Sequence, residues 1–174
     1  LMMYVYHILF SYVYYHIPTD SQGIYHIVTE ELKTISVTNA PGPGNSFIFY
    51  LTHICVEYLN LSYLGATLLF SSLSYIGFWI LFKIIQAHKI KYLWLILLIP
   101  SLHFWTAGFG KDSLTFLFIT TFLYAVLKNK LHYIILTLAG IFLIRPHIAV
   151  LFGSIYLLIA LLSSNISFRT KLIV

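Results

Sequence analysis

In a chain made mostly of Leu, Ile, Phe and Tyr, the residues able to do chemistry gather at three places. The first is the stretch from Pro100 to Ser113, where Gly108, Gly110, Lys111 and Asp112 separate two apolar runs. Glycines let a backbone approach a ligand, a helix starting near Lys111 would offer free N–H groups to an anion, and Lys111 adds a cation. The stretch therefore reads as an anion or sugar site. The alternative is that Asp112 and Ser113 cap that helix while Lys111 sits at lipid headgroups. The second place is Arg145-Pro146-His147. The planar fork of Arg145 suits phosphate oxygens, and His147 beside it could share that ligand; a plain turn with an interfacial arginine is the other reading. The third is Asp20, either a general base toward an acceptor hydroxyl or a helix cap.

Other chemistries are excluded by pattern. The glycine-lysine stretch is not a phosphate-binding P-loop, because the first glycine is missing and Asp112 stands where a hydroxyl is required. No His-Glu-x-x-His pattern occurs among the eight histidines. The single cysteine, Cys55, forms neither an internal disulfide nor a thiolate metal cluster. His53 and Glu57, one helical turn apart, could pair. His103, Phe104 and Trp105 read as an aromatic belt, or as a stacking platform for a sugar.

The elements that must position these residues follow from composition. Of 174 residues, 60% are hydrophobic and 9% charged, and the mean hydropathy is +0.89. Soluble domains carry about 25% charged residues, so the bilayer is the expected solvent. The net charge of +5 does not point to nucleic acid, since the basic residues lie at the ends of apolar runs rather than in one patch. The expected fold is all-α: a polytopic transmembrane bundle of about six spans, forming a single domain over residues 1–174. The chain opens on Leu1 and closes on Ile173 and Val174, and is expected to be the N-terminal part of something longer.

Leu1 to Ile17 is the first run, stopped by Pro18. A short helix, capped by Thr19 or Asp20, should run from Ser21 towards Ile35. Ala40 to Gly44 is the strongest breaker. The next helix, Phe47 to Leu59, capped by Asn45 or Ser46, carries Ser46, Tyr50, His53, Glu57 and Asn60 on one face, which suits the membrane interface better than a crossing. Tyr63 to Gln86 is the clearest span, roughly 36 Å at about 1.5 Å per residue against a hydrocarbon core of ~30 Å. Shorter runs follow at Tyr92 to Trp105, Leu114 to Leu127, Leu131 to Ile144 and Ile148 to Leu162; they cross only with help from flanking residues or a thinned bilayer, or form re-entrant segments. In this layout Lys83, Lys89, Lys91, Lys128, Lys130, Arg169 and Lys171 share one side, which is then cytoplasmic. Asp20, Lys33, Lys111, Asp112 and Arg145 share the other. An ionised side chain costs about 2.5–3.5 kcal/mol at the bilayer centre, so Lys111 and Asp112 belong at the interface or on a polar cavity.

A first span, then Asp20, then an outer loop with two short helices, a long second span and a second acid at Asp112: this order resembles the GT-C superfamily of membrane glycosyltransferases. The strings Pro100 to Asp112 and Ile144-Arg145-Pro146-His147-Ile148-Ala149 are also similar to bacterial membrane proteins associated with surface polysaccharides. The chain departs from part of that superfamily, because Thr19-Asp20 is not a pair of acids. The resemblance implies a sugar donor carried on a polyprenyl phosphate or pyrophosphate, a glycan or lipid acceptor, and a multi-pass location in the bacterial inner membrane. It implies that Asp20 activates the acceptor, that Lys111 and Arg145 neutralise the departing phosphate, and that Asp112 orients the acceptor or binds a divalent metal, the only cofactor it would admit. An O-antigen-type polymerase and a non-catalytic transporter or assembly subunit are the rival expectations.

Overall fold

Every element of the computed structural model is helical; it describes residues 2–31, 42–89 and 92–162, and no strand occurs among them. The longest helix organises the rest. It starts where the Ser62 hydroxyl accepts the Gly65 N–H at 3.2 Å and runs from Tyr63 to His88, two residues beyond the predicted end. Lys89 closes it in the left-handed conformation, φ 51°. This helix, α4 by order in the chain, is long and apolar enough to cross a membrane.

The first helix, α1 (Met2–His16), lies against α4 with its polarity inverted. Its inward positions are His7, Ser11 and Tyr14, while Met2, Leu9 and Val13 face outward. In water such a helix would be inside out; beside lipid it is the expected arrangement. After α4 the run predicted as one span from Tyr92 to Trp105 divides. A 3₁₀ turn covers Leu93–Leu98 and a separate helix, α5, covers Pro100–Thr106. Pro100 is the reason: it supplies no N–H and holds Ile99 extended at ψ 116°. Four residues later the chain turns by 111° into α6 (Lys111–Leu127). With α5 this bent pair would make a second membrane-length unit.

The remaining helices stack in order. α6 runs beside α4, and α7 (Leu131–Ile144) beside α6. Small residues set these approaches: a Cβ on Gly77 would lie 2.9 Å from Thr120 Oγ1, and one on Gly140 2.6 Å from the Phe118 ring. α8 (Pro146–Leu162) packs on α7 and buries only Ala149, leaving Val150, Leu151, Leu157 and Leu158 exposed. Contiguous apolar surface of this kind marks a membrane or partner contact.

Two short helices lie between α1 and α4. α2 (Asp20–His26) continues as a π-helical turn over Ile27–Glu31, and α3 (Asn45–His53) continues the same way over Ile54–Tyr58. The predicted caps differ. Thr19 precedes α2 without a side-chain capping bond, Asp20 lies in its first turn, and Gly44 rather than Asn45 or Ser46 precedes α3. Of the predicted polar stripe, Ser46, Glu57 and Asn60 are exposed and Tyr50 and His53 half-buried, while Ile48, Thr52 and Cys55 are buried. His53 lies edge-on to Tyr58, and the His–Glu contact at one-turn spacing is instead His26 Nε2 to Glu30 at 3.1 Å. At the far end of α4 a groove of about 500 Å³ gathers Lys83, His88 and Lys128. Lys33, Lys91, Arg169, Lys171, the breaker residues Ala40 and Pro41, and the helix expected beyond Glu31 lie outside the described residues.

Candidate functional site

The end of α1 and the α5–α6 bend meet through two glycines. Gly108 faces the Tyr14 ring so closely that a Cβ there would lie 2.2 Å from Tyr14 Cζ. Tyr14 in turn shares a hydrogen bond of 2.6 Å with Ser21 Oγ, and Ser21 lies 3.4 Å from where a Cβ on Gly110 would be. Gly110 has φ 147°, a conformation side chains resist. The glycines therefore admit α1 and α2 to the bend. At Gly108 the Tyr14 ring alone requires a glycine, and Gly108 and Gly110 both also line the adjoining cleft.

This contact sets Asp20, exposed in the first turn of α2, across from Lys111 and Asp112 in the first turn of α6. Arg145 arrives from between α7 and α8. Pro146 breaks the helix there, the Arg145 carbonyl accepts the Ile148 and Ala149 N–H groups, and the freed Leu143 carbonyl accepts the Gly44 N–H at 2.8 Å. The result is a cleft of about 710 Å³ whose lining includes Asp20, Lys111, Asp112, Arg145, Trp105 and Phe49. Phe109, beneath it, belongs to the apolar cluster that joins α3, α4, α6 and α7. His147 is exposed on the first turn of α8 and does not line the cleft, so the structure separates it from the other candidates.

Within the cleft, Arg145 Nη2 donates to Asp112 Oδ1. Asp112 is thus neither a helix cap nor a free acid; it neutralises and orients the guanidinium. Ser113 does not cap either, since its hydroxyl donates back to the Gly110 carbonyl at 2.9 Å. The first N–H groups of α6 consequently lack a side-chain cap beside the cleft. Arg145 Nε is buried without a hydrogen-bond acceptor, and Lys111 forms no ion pair among the described residues. A donor-rich wall of this kind is suited to phosphate oxygens. It is poorly suited to a divalent cation. Its two carboxylates face two fixed cations, Asp112 is already engaged, and no group of three or more His, Cys, Asp or Glu able to hold a metal occurs among the described residues. Cys55 is inert by comparison, because burial pushes its thiol up.

Sequence reasoning missed Tyr14 and Ser21, which fix the geometry; of the three residues expected in a belt or stacking platform, Trp105 is exposed and lines the cleft whereas His103 is fully buried. It also missed a polar network in the interior. His7 and His103, both fully buried, face each other through their Nδ1 atoms at 2.9 Å. Ser11 donates to Ser71 Oγ at 2.6 Å alongside them. The available signal was the helical spacing of His7, Ser11 and Tyr14 within an otherwise apolar run. No protein-family model, curated protein or solved structure matches this chain.

Proposed function

We propose that this chain carries the cleft of a polytopic cell-envelope membrane protein that transfers a sugar from a polyprenyl-phosphate-linked donor to a glycan or lipid acceptor at the outer face of the bacterial inner membrane. The observation that carries the proposal is the meeting of Asp20, Lys111, Asp112 and Arg145, from three separate parts of the chain, in one cleft beside Trp105. In this reading α1, α4, α6, α7 and α8 cross the bilayer, and residues 93–106 return towards the cleft as a broken segment. The shorter helices need a locally thinned membrane.

The chemistry follows from the wall. An acceptor hydroxyl gives its proton to the Asp20 carboxylate as its oxygen bonds to the anomeric carbon, and the anomeric carbon–oxygen bond to phosphate breaks with the electron pair leaving on phosphate. Lys111, the Arg145 fork and the open N-terminus of α6 stabilise that developing charge, which is the larger part of catalysis in such transfers. Asp112 keeps the guanidinium aimed, a positioning role in place of the acceptor-orienting or metal-binding role. Trp105 offers an apolar face to a sugar ring.

The test is transfer from a panel of polyprenyl-phosphate sugars by the full protein in vesicles. Asp20→Asn should lower transfer by roughly 100-fold or more while membrane insertion is unchanged. Near-normal transfer by both Asp20→Asn and Arg145→Gln would sink the proposal. A second reading, a transporter, draws on the 111° break between α5 and α6, since transport sites form at discontinuous helices. Solute uptake that depends on Arg145, without sugar transfer, would favour it.

A further inference from the structure

The interior network has a proton inventory that can be worked out atom by atom. His103 Nε2 lies 2.6 Å from the Leu97 carbonyl, which can only accept, so His103 Nε2 carries hydrogen. A neutral His103 then has a bare Nδ1. The Nδ1–Nδ1 contact of 2.9 Å needs one hydrogen, which must come from His7. A neutral His7 therefore has a bare Nε2, and the Ser74 hydroxyl, 2.9 Å away, donates to it.

One more hydrogen ion fits this arrangement without moving a heavy atom. His7 Nε2 also lies 3.2 Å from the Ser71 carbonyl, and Ser74 Oγ lies 2.9 Å from that same carbonyl. If Nε2 gains a proton it donates to Ser71 O and Ser74 Oγ, and the Ser74 hydroxyl rotates to donate to Ser71 O. Every polar atom keeps a partner in both states. A second proton would have to enter between the two Nδ1 atoms and would separate α1 from α5.

The rings beside His7 are Phe78 at 5.0 Å and Tyr75 at 6.1 Å, and aromatic faces attract imidazolium. Phe78 also stacks on His103 at 4.3 Å and Tyr6 meets His103 edge-on at 4.8 Å, which packs the ring that stays neutral. The titratable groups facing the pair are Tyr6 from α1 and Tyr75 from α4; the 3₁₀ turn and α5 contribute the Leu97 carbonyl and apolar side chains, and α6 contributes Phe116 against Phe78. Among the described residues, no carboxylate or ammonium group makes an ion pair with either ring.

We propose that His7 and His103 form a buried proton-binding site, separate from the cleft, that joins α1 to α5 and takes up a single hydrogen ion at His7 Nε2. The site does not depend on the transfer reaction. The test is ¹⁵N-histidine NMR of the full protein in detergent micelles, followed from about pH 8 down to about pH 3, with H7Q and H103Q used for assignment. At the upper end His7 should appear as the Nδ1–H tautomer and His103 as the Nε2–H tautomer. On acidification His7 should become imidazolium while His103 stays neutral. Ser74→Ala removes the one donor to the bare Nε2 of the neutral form, whereas the charged form loses one acceptor and keeps the Ser71 carbonyl, so proton uptake should move to higher pH. H103Q keeps a carbonyl for His7 and an N–H for Leu97, and should retain uptake at His7. If the assignment variants fail to fold, the wild type still decides: one ring of the eight histidines must remain neutral in the Nε2–H form throughout while a ring in the Nδ1–H form charges. A hydrogen on His103 Nδ1, simultaneous charging of both rings, no Nδ1–H ring that charges, or a Ser74→Ala shift to lower pH would each overturn the proposal.

Discussion

The cleft and the histidine network are both polar regions in an apolar molecule, and they bear the cost of polarity in opposite ways. The cleft keeps its charges half in solvent, at the ends of helices, with Arg145 Nε buried and unmatched and the α6 terminus uncapped. The network lies fully buried, holds no fixed charge in its neutral form and gives each histidine nitrogen and serine hydroxyl a partner. A half-matched set of donors is poor for stability and good for a ligand; a closed set is the reverse. The contrast says where function should be sought and where folding should be.

Arg145→Met should break the comparison most sharply. Transfer should fall by roughly 100-fold, because charge stabilisation at the leaving group is lost, while unfolding changes by no more than about 0.5 kcal/mol, since the Asp112 pair is partly exposed. Equal losses in activity per folded molecule and in stability would erase the distinction. Gly108→Ala should act in the opposite sense, costing about 1–3 kcal/mol through overlap with Tyr14. Pairing it with Tyr14→Ala should recover part of that loss in denaturant titrations. His7→Phe should cost about 1–3 kcal/mol by leaving the buried His103 Nδ1 without a donor, with transfer per folded molecule little changed. The smallest effect belongs to neither region: Ser62→Ala removes the cap of α4 and should lower the melting temperature by the equivalent of about 1 kcal/mol.

The same contrast explains what could be read from sequence. Charges are costly in an apolar chain, so Asp20, Lys111, Asp112 and Arg145 announce themselves as single residues, and the helices from 63, 131 and 146 announce themselves by apolar runs between breakers. The run from Tyr92 to Trp105 hides its break, because Pro100 sits inside uniform apolarity and only the fold says which side of it turns. His7 and His103 are 96 residues apart, and no local pattern pairs them. Gly108 is visible as a glycine, yet the reason for it is a ring on another helix. Asp112 and Arg145 were read separately for the same cause: each makes sense alone, and their neutralisation of one another belongs to tertiary structure.

The stacking of Tyr14 on Gly108 also constrains descent. Gly108 cannot acquire a side chain while Tyr14 keeps its ring, and Tyr14 cannot lose its ring without releasing Ser21 and opening a hole against Gly108. Lineages that drift from this arrangement must therefore change the three positions together or in one permitted order, with Tyr14 shrinking first. Joint substitution at residues 14, 21 and 108 is the trace that such drift would leave.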